Sequence, residues 1–139
     1  MPSDLLELYK LACEMADRVS ARRATTNNYL FTIHAALLAG LATGKLQVEL
    51  VCIAGIMLTI VWWLLLRSYR DLNRAKFAVI LDMETHLPWQ VYGDEWKSLK
   101  DDRLKRWRDR YAEFGTIERV VPPVLAVLYA VVLVQELLG

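Results

Sequence analysis

The chain has 139 residues, 55% of them apolar and 24% charged, with a net charge of +1. That balance carries no overall basic field for nucleic acid. Cys13 and Cys52, one among charges and one in an apolar run, make neither a disulfide framework nor a zinc site. A positive mean hydropathy of +0.24 beside so much charge requires the apolar residues to be gathered into blocks.

Residues 1–24 read as an amphipathic helix. Leu5, Leu8, Ala12, Met15 and Val19 alternate in steps of three and four, which makes one helical stripe. Ser3 offers an N-cap, and Glu14 and Arg18 have i, i+4 spacing. The stripe packs either on the middle of the same chain or along a seam between subunits.

From Ala24 to Gly44 no Asp, Glu, Lys or Arg occurs, and none occurs from Leu50 to Leu66. A bilayer core of about 30 Å takes roughly 20 apolar residues as a helix, so spans are expected at 25–44 and 48–66. A secretory signal would place its apolar core within about the first 15–30 residues. The charge-rich stretch ahead of residue 24 argues against one.

Two features of the first span carry candidate function. Asn28, Thr32, Ala36 and Gly40 recur every four residues, with Thr43 beside them, and small residues at that spacing let helices approach closely in lipid. The face either packs within a three-helix subunit or forms a polar rim lining water in a ring of subunits. Cys52, Gly55 and Thr59 repeat the pattern more thinly in the second span, and Ala126 and Ala130 in the third. His34 is an ionisable group inside a span, a functional hypothesis by default. Its neighbours Leu30, Leu37, Leu38 and Leu41 favour a neutral imidazole bonded to another helix over a proton relay.

Residues 67–119 are expected to continue the second span as a helix through Tyr69, Leu72, Val79, Ile80 and Met83. Pro88 disfavours helix at Leu87, so the helix should end there, before an aromatic turn from Trp89 to Gly93. A second helix is expected from Asp94 to Arg119, either continuous or broken near Lys100, with a stripe of Leu104, Trp107, Tyr111, Phe114, Ile117 and Val121. Its basic run of Arg103, Lys105, Arg106, Arg108 and Arg110, interleaved with Asp101, Asp102 and Asp109, reads as a lipid-headgroup face or an ion-pair face. Asp82 and His86 are too few to hold a metal. Val121-Pro122-Pro123 marks the start of a third span at 121–138, with proline in its first turn; a buried hydrophobic helix is the alternative for this segment.

Of the 17 basic residues, only Lys45 lies in the turn between the first two spans. The positive-inside rule therefore puts the N-terminus and residues 67–119 in the cytoplasm and the C-terminus outside. Tyr29, Trp62 and Trp63 then fall at the cytoplasmic interface. The expected fold class is an all-α membrane protein: a 25–66 hairpin, a third span over 120–139, and a helical cytoplasmic layer. With no phosphate loop and no hydrolase or metalloprotease motif, neither an enzyme nor a cofactor is expected. A homo-oligomeric pore, a membrane-anchored scaffold and a transporter stay open. The transporter is disfavoured because no span is interrupted.

The block Trp62-Trp63, Arg67-Ser68-Tyr69-Arg70, Leu72-Asn73, Ala75-Lys76-Phe77, Val79-Ile80, Glu84, Leu87-Pro88, Tyr92 and Glu95-Trp96 resembles a known family. So do Tyr9-Lys10-Leu11-Ala12 with Met15-Ala16-Asp17-Arg18 and Ser20-Ala21-Arg22, and Glu118 with Val121-Pro122. The chain resembles, over residues 9–129, the RipA family of octameric bacterial membrane proteins, linked to ring-interacting pore proteins of antiphage defence. The resemblance implies an inner-membrane octamer, a pore that kills or arrests an infected cell, and a phage protein as trigger. Asn73 and Lys76 share a helix face at i, i+3, so Lys76 is expected to meet Glu84 or Glu95 of the same or a neighbouring subunit. With Tyr69 and Trp96 they would hold the cytoplasmic layer together.

Overall fold

The computed structural model describes residues 2–100 and 105–138, with the side chains of 4–95, 97 and 118–138. Four helices follow in order: α1 (Pro2–Ala42), α2 (Val48–Glu84), α3 (Val91–Lys100) and α4 (Lys105–Leu138). No strand occurs among the described residues.

The amphipathic segment and the apolar block after it form one helix, because no glycine or proline interrupts the chain from Ser3 to Ala39. At 41 residues and 1.5 Å per residue, α1 is about 60 Å long. α2, with 37 residues, is about 55 Å. Either length is close to twice the hydrocarbon core, so each helix has an apolar part and a charged part.

The helix ends follow from local chemistry. α1 stops at Thr43-Gly44, where Gly44 has φ +64° and its N–H bonds the Leu41 carbonyl at 3.1 Å, a left-handed C-terminal cap. After Glu84 the amides of Thr85, His86 and Leu87 bond Asp82, Met83 and Glu84, each at 3.1 Å. These i+3 bonds tighten the end of the helix ahead of Pro88.

The start expected for the third span is different in the structure. α4 runs unbroken through Pro122 and Pro123, so the prolines sit inside a helix and not in a first turn. Helical segments in apolar surroundings tolerate proline where neighbours and local adjustments satisfy the freed carbonyls, and Pro122 is fully buried. The aromatic turn is also shorter than expected, because α3 begins at Val91. The stripe from Leu104 to Ile117 and the basic run around it lie outside the described side chains.

The chain divides into two compact units. One is Met1–Arg22 with Ser68–Gly115, and the other is Arg23–Arg67 with Thr116–Gly139. In the first, Ala16, Val19, Ile80 and Glu84 are buried. Leu8 and Met15 of the expected N-terminal stripe are exposed, at 53% and 45%, while Tyr9 and Cys13 turn partly inward. The inward face is thus rotated from the stripe that spacing suggests, because a tyrosine with a buried partner takes that side.

In the second unit Leu30, Trp62 and Leu66 form the core, with Val121 and Leu125 packed on it. α2 contains a stretch long and apolar enough to cross a membrane, and Glu118–Leu138 is another. Residues 25–44 are not among them, since Thr25, Thr26, Asn27, Asn28 and His34 lower their hydropathy.

Candidate functional site

The second unit holds a chain of polar contacts among α1, α2 and α4. Trp62 is 1% exposed and donates its indole N–H to Asn27 Oδ1 at 2.9 Å. Asn27 in turn donates from Nδ2 to Glu118 Oε1 at 3.1 Å. The other carboxylate oxygen of Glu118 takes Arg23 at 2.9 Å. A buried indole usually finds an acceptor, and each buried group here has one. Trp62 is therefore a core residue and not an interface anchor, which corrects the sequence expectation. Tyr29 and Trp63 do face outward, and Arg67 lies 6.0 Å over the Trp63 ring.

Two turns of α1 beyond Asn27, His34 is 1% exposed. Its Nδ1 lies 3.1 Å from the Tyr129 hydroxyl, and its ring stacks on Trp62 at 5.6 Å. Nε2 has no partner among the described residues. The imidazole is thus bonded to a neighbouring helix, as its leucine-rich surroundings suggest. Tyr129, fully buried, was not singled out from sequence, although a tyrosine in mid-span needs a partner for its hydroxyl as His34 does. It lies against Gly55, where an added Cβ would come within 2.6 Å of the ring.

The structure separates the two small-residue faces. Cys52, Gly55 and Thr59 are buried, so the thin face of α2 is used up inside the subunit. Asn28, Thr32, Ala36 and Thr43 are all exposed. Helical spacing puts them opposite Asn27, Leu30 and His34. Thr32 donates to the Asn28 carbonyl at 2.9 Å and Thr43 to the Gly40 carbonyl at 2.8 Å, which leaves the Asn28 carboxamide as the polar group of that face. Gly40 stands apart from these four, because an added Cβ would meet Leu46 of the same chain.

In the first unit the centre is Glu84, 1% exposed. Its Oε1 accepts the Tyr9 hydroxyl at 2.8 Å and the Tyr92 amide at 2.7 Å. Its Oε2 accepts the Gly93 amide at 2.9 Å. Those amides open α3, so the carboxylate caps a helix from a distance and meets its positive end. Burial alone would raise the pKa of this carboxyl. The Tyr92 and Gly93 amides and the Tyr9 hydroxyl outweigh burial and hold it below the ordinary carboxylate range. Burial, and then the bond to Glu84, push the Tyr9 phenol well above its ordinary value.

The expected pairing of Lys76 with Glu84 does not form, because hydroxyl and amide donors take the carboxylate. Lys76 and Asn73 are half-buried on α2, and Asn73 Oδ1 is buried with no partner among the described residues. Tyr69 and Leu87 are half-buried, Leu72 and Pro88 exposed. Phe77 meets Tyr92 edge to face at 5.6 Å, and the Trp96 side chain lies outside the described residues. His86 contacts the Asp82 carbonyl at 3.2 Å and not its carboxylate. No cluster of metal-binding side chains occurs among the described residues.

Trp62→Phe keeps most of the ring and removes the donor to Asn27. A buried acceptor left unsatisfied costs about 1–3 kcal/mol, and thermal unfolding in detergent is expected to show a loss of that size.

Long apolar helices, polar side chains bonded between them and a polar face turned outward define a helical membrane protein built to associate. The chain belongs to the octameric membrane protein family (8xMP), whose model matches residues 6–138. No curated protein and no solved structure matches the chain. It is an oligomeric membrane protein.

Proposed function

We propose that this protein is a pore-type effector of bacterial antiphage defence, a ring of identical subunits that permeabilises the inner membrane on activation. The observation that supports it is the outward position of Asn28, Thr32, Ala36 and Thr43 on α1, opposite the residues that pack inside the subunit. Polar side chains facing lipid are unfavourable, so this face turns to another subunit or to water. Three helices enclose no water path by themselves, and a conduit needs several copies around an axis.

The reading takes three spans, 25–44, 48–66 and 121–138. The modest hydropathy of the first fits it, because Asn27 and His34 spend their polarity on Glu118, Trp62 and Tyr129 within the subunit. The N-terminus and residues 67–119 lie in the cytoplasm and the C-terminus outside, as the basic residues require. The defence role and the phage trigger rest on the RipA-family resemblance. The trigger would be sensed by the cytoplasmic layer, with anionic lipid beside it. No catalytic step and no cofactor is involved.

The test is to induce the protein in cells with and without the phage protein while following membrane potential and an impermeant dye. Loss of potential with dye entry is expected. Growth arrest with potential intact and no dye entry overturns the pore and leaves a scaffold. Asn28→Leu with Thr32→Val is expected to abolish dye entry while circular dichroism stays unchanged, since neither side chain packs inside the subunit.

A further inference from the structure

The first unit presents two separate apolar stripes to its surroundings. On α1, Leu8, Leu11 and Met15 are 53%, 52% and 45% exposed and lie on one face. On α2, Leu72 and Val79 are 46% and 52% exposed, with exposed Ala75 between them. Both stripes run i, i+3, i+7, about 10 Å along their helices. Neither takes part in the Tyr9–Glu84 cluster, whose bonds fix which faces of α1 and α2 turn inward.

The family to which the chain belongs is octameric, and symmetry limits how eight copies can meet. Copies that share one orientation across a bilayer are related by rotation about its normal, so two-fold axes lying in the membrane plane do not arise. An eight-fold ring then repeats a head-to-tail contact, in which one patch on each subunit meets a different patch on the next. One self-complementary patch would close a dimer and stop. Two unlike stripes of equal length are what a head-to-tail seam requires.

We infer that the Leu8, Leu11 and Met15 stripe of one copy docks on the Leu72, Ala75 and Val79 stripe of the next. α1 and α2 are joined by the short connection 43–47 and run in opposite directions, so the seam is antiparallel. Leu8 then lies near Val79 of the neighbouring copy, and Met15 near Leu72. Apolar knobs at this spacing are the means by which antiparallel helices interlock. The seam requires the oligomer but not a conduit, so it stands or falls apart from the pore.

The test is cysteine cross-linking of the full chain in detergent, with Cys13→Ser and Cys52→Ala removing the native thiols. Met15→Cys combined with Leu72→Cys is expected to give, on mild oxidation, a ladder of covalent species up to the full ring. Each single-cysteine variant should stay monomeric on a denaturing gel. Dimers from Met15→Cys alone would show a self-complementary contact and overturn the seam. So would an assembly of unchanged mass with no ladder, which would leave the stripe to lipid or to another protein. In the otherwise native chain, Leu11→Lys is expected to move the native mass to species smaller than the octamer with helical content unchanged. Full assembly of Leu11→Lys overturns the seam independently of the thiol background.

Discussion

Replacing Glu84 by alanine is expected to unfold the first unit more readily than any other single change in it. The substitution leaves the Tyr9 hydroxyl and the Tyr92 and Gly93 amides without their acceptor. At about 1 kcal/mol or more for each buried donor left unsatisfied, the loss is at least about 3 kcal/mol. Glu84→Gln keeps the shape but offers one oxygen in place of two, and is expected to cost about 1–3 kcal/mol. Hydrogen exchange of the first-turn amides of α3 should locate the damage, with protection lost there first.

The pH dependence has a definite sign. The carboxyl of Glu84 is held below its ordinary value. Its contribution is therefore present above the unfolded carboxyl range, about 4.3, and is lost as pH falls through the lower folded value. The Tyr9 phenol is raised. Its contribution is present below about 10 and is lost as pH rises through its higher folded value. The bond between them is thus intact across the neutral range. An acid transition that persists unchanged in Glu84→Gln would show that another group carries it.

Gly55→Val is expected to disrupt packing in the second unit. A Cβ at this position falls within 2.6 Å of the Tyr129 ring, and that ring is fully buried beside His34, so it has little room to withdraw. Overpacking of this kind costs about 1–3 kcal/mol, occasionally more. If Tyr129 moves away, the imidazole of His34 also loses its hydroxyl partner. Tyr129→Leu removes part of the ring, so the double variant should be more stable than the sum of the single losses predicts. Contacting residues show interaction energies of about 0.5–3 kcal/mol in such cycles. Additive losses in thermal unfolding would mean that glycine and tyrosine do not meet.

Membrane location, helical class and the absence of a disulfide framework were legible in the order of residues alone. They depend on blocks of composition, and hydropathy summed over roughly 20 residues averages out local error. The role of Glu84 was not legible in the same way. A carboxylate and a lysine on one helix suggest an ion pair. The fold instead brings a tyrosine 75 residues away and the start of α3 to the carboxylate, and no local spacing encodes either approach. Trp62 was misplaced for the same reason. A tryptophan near the end of an apolar block has the composition of an interface anchor, and only the arrival of Asn27 and Phe31 makes it core.

The two small-residue faces divide the matter most clearly. Periodicity marks both Asn28-Thr32-Ala36 and Cys52-Gly55-Thr59 as surfaces of close approach, because steps of three or four residues keep to one side of a helix whatever surrounds it. It cannot say what approaches. Tyr129 is drawn onto Gly55, so its ring fills the α2 face within one subunit while its hydroxyl bonds His34 of α1. The face of α1 is left outward because Asn27, Leu30 and His34 turn the opposite side of the same helix into the core. Helical pattern is a one-dimensional property carried by neighbours in the chain. The partner of a face is set by contacts between residues nearly a hundred positions apart, and those exist only once the helices have packed.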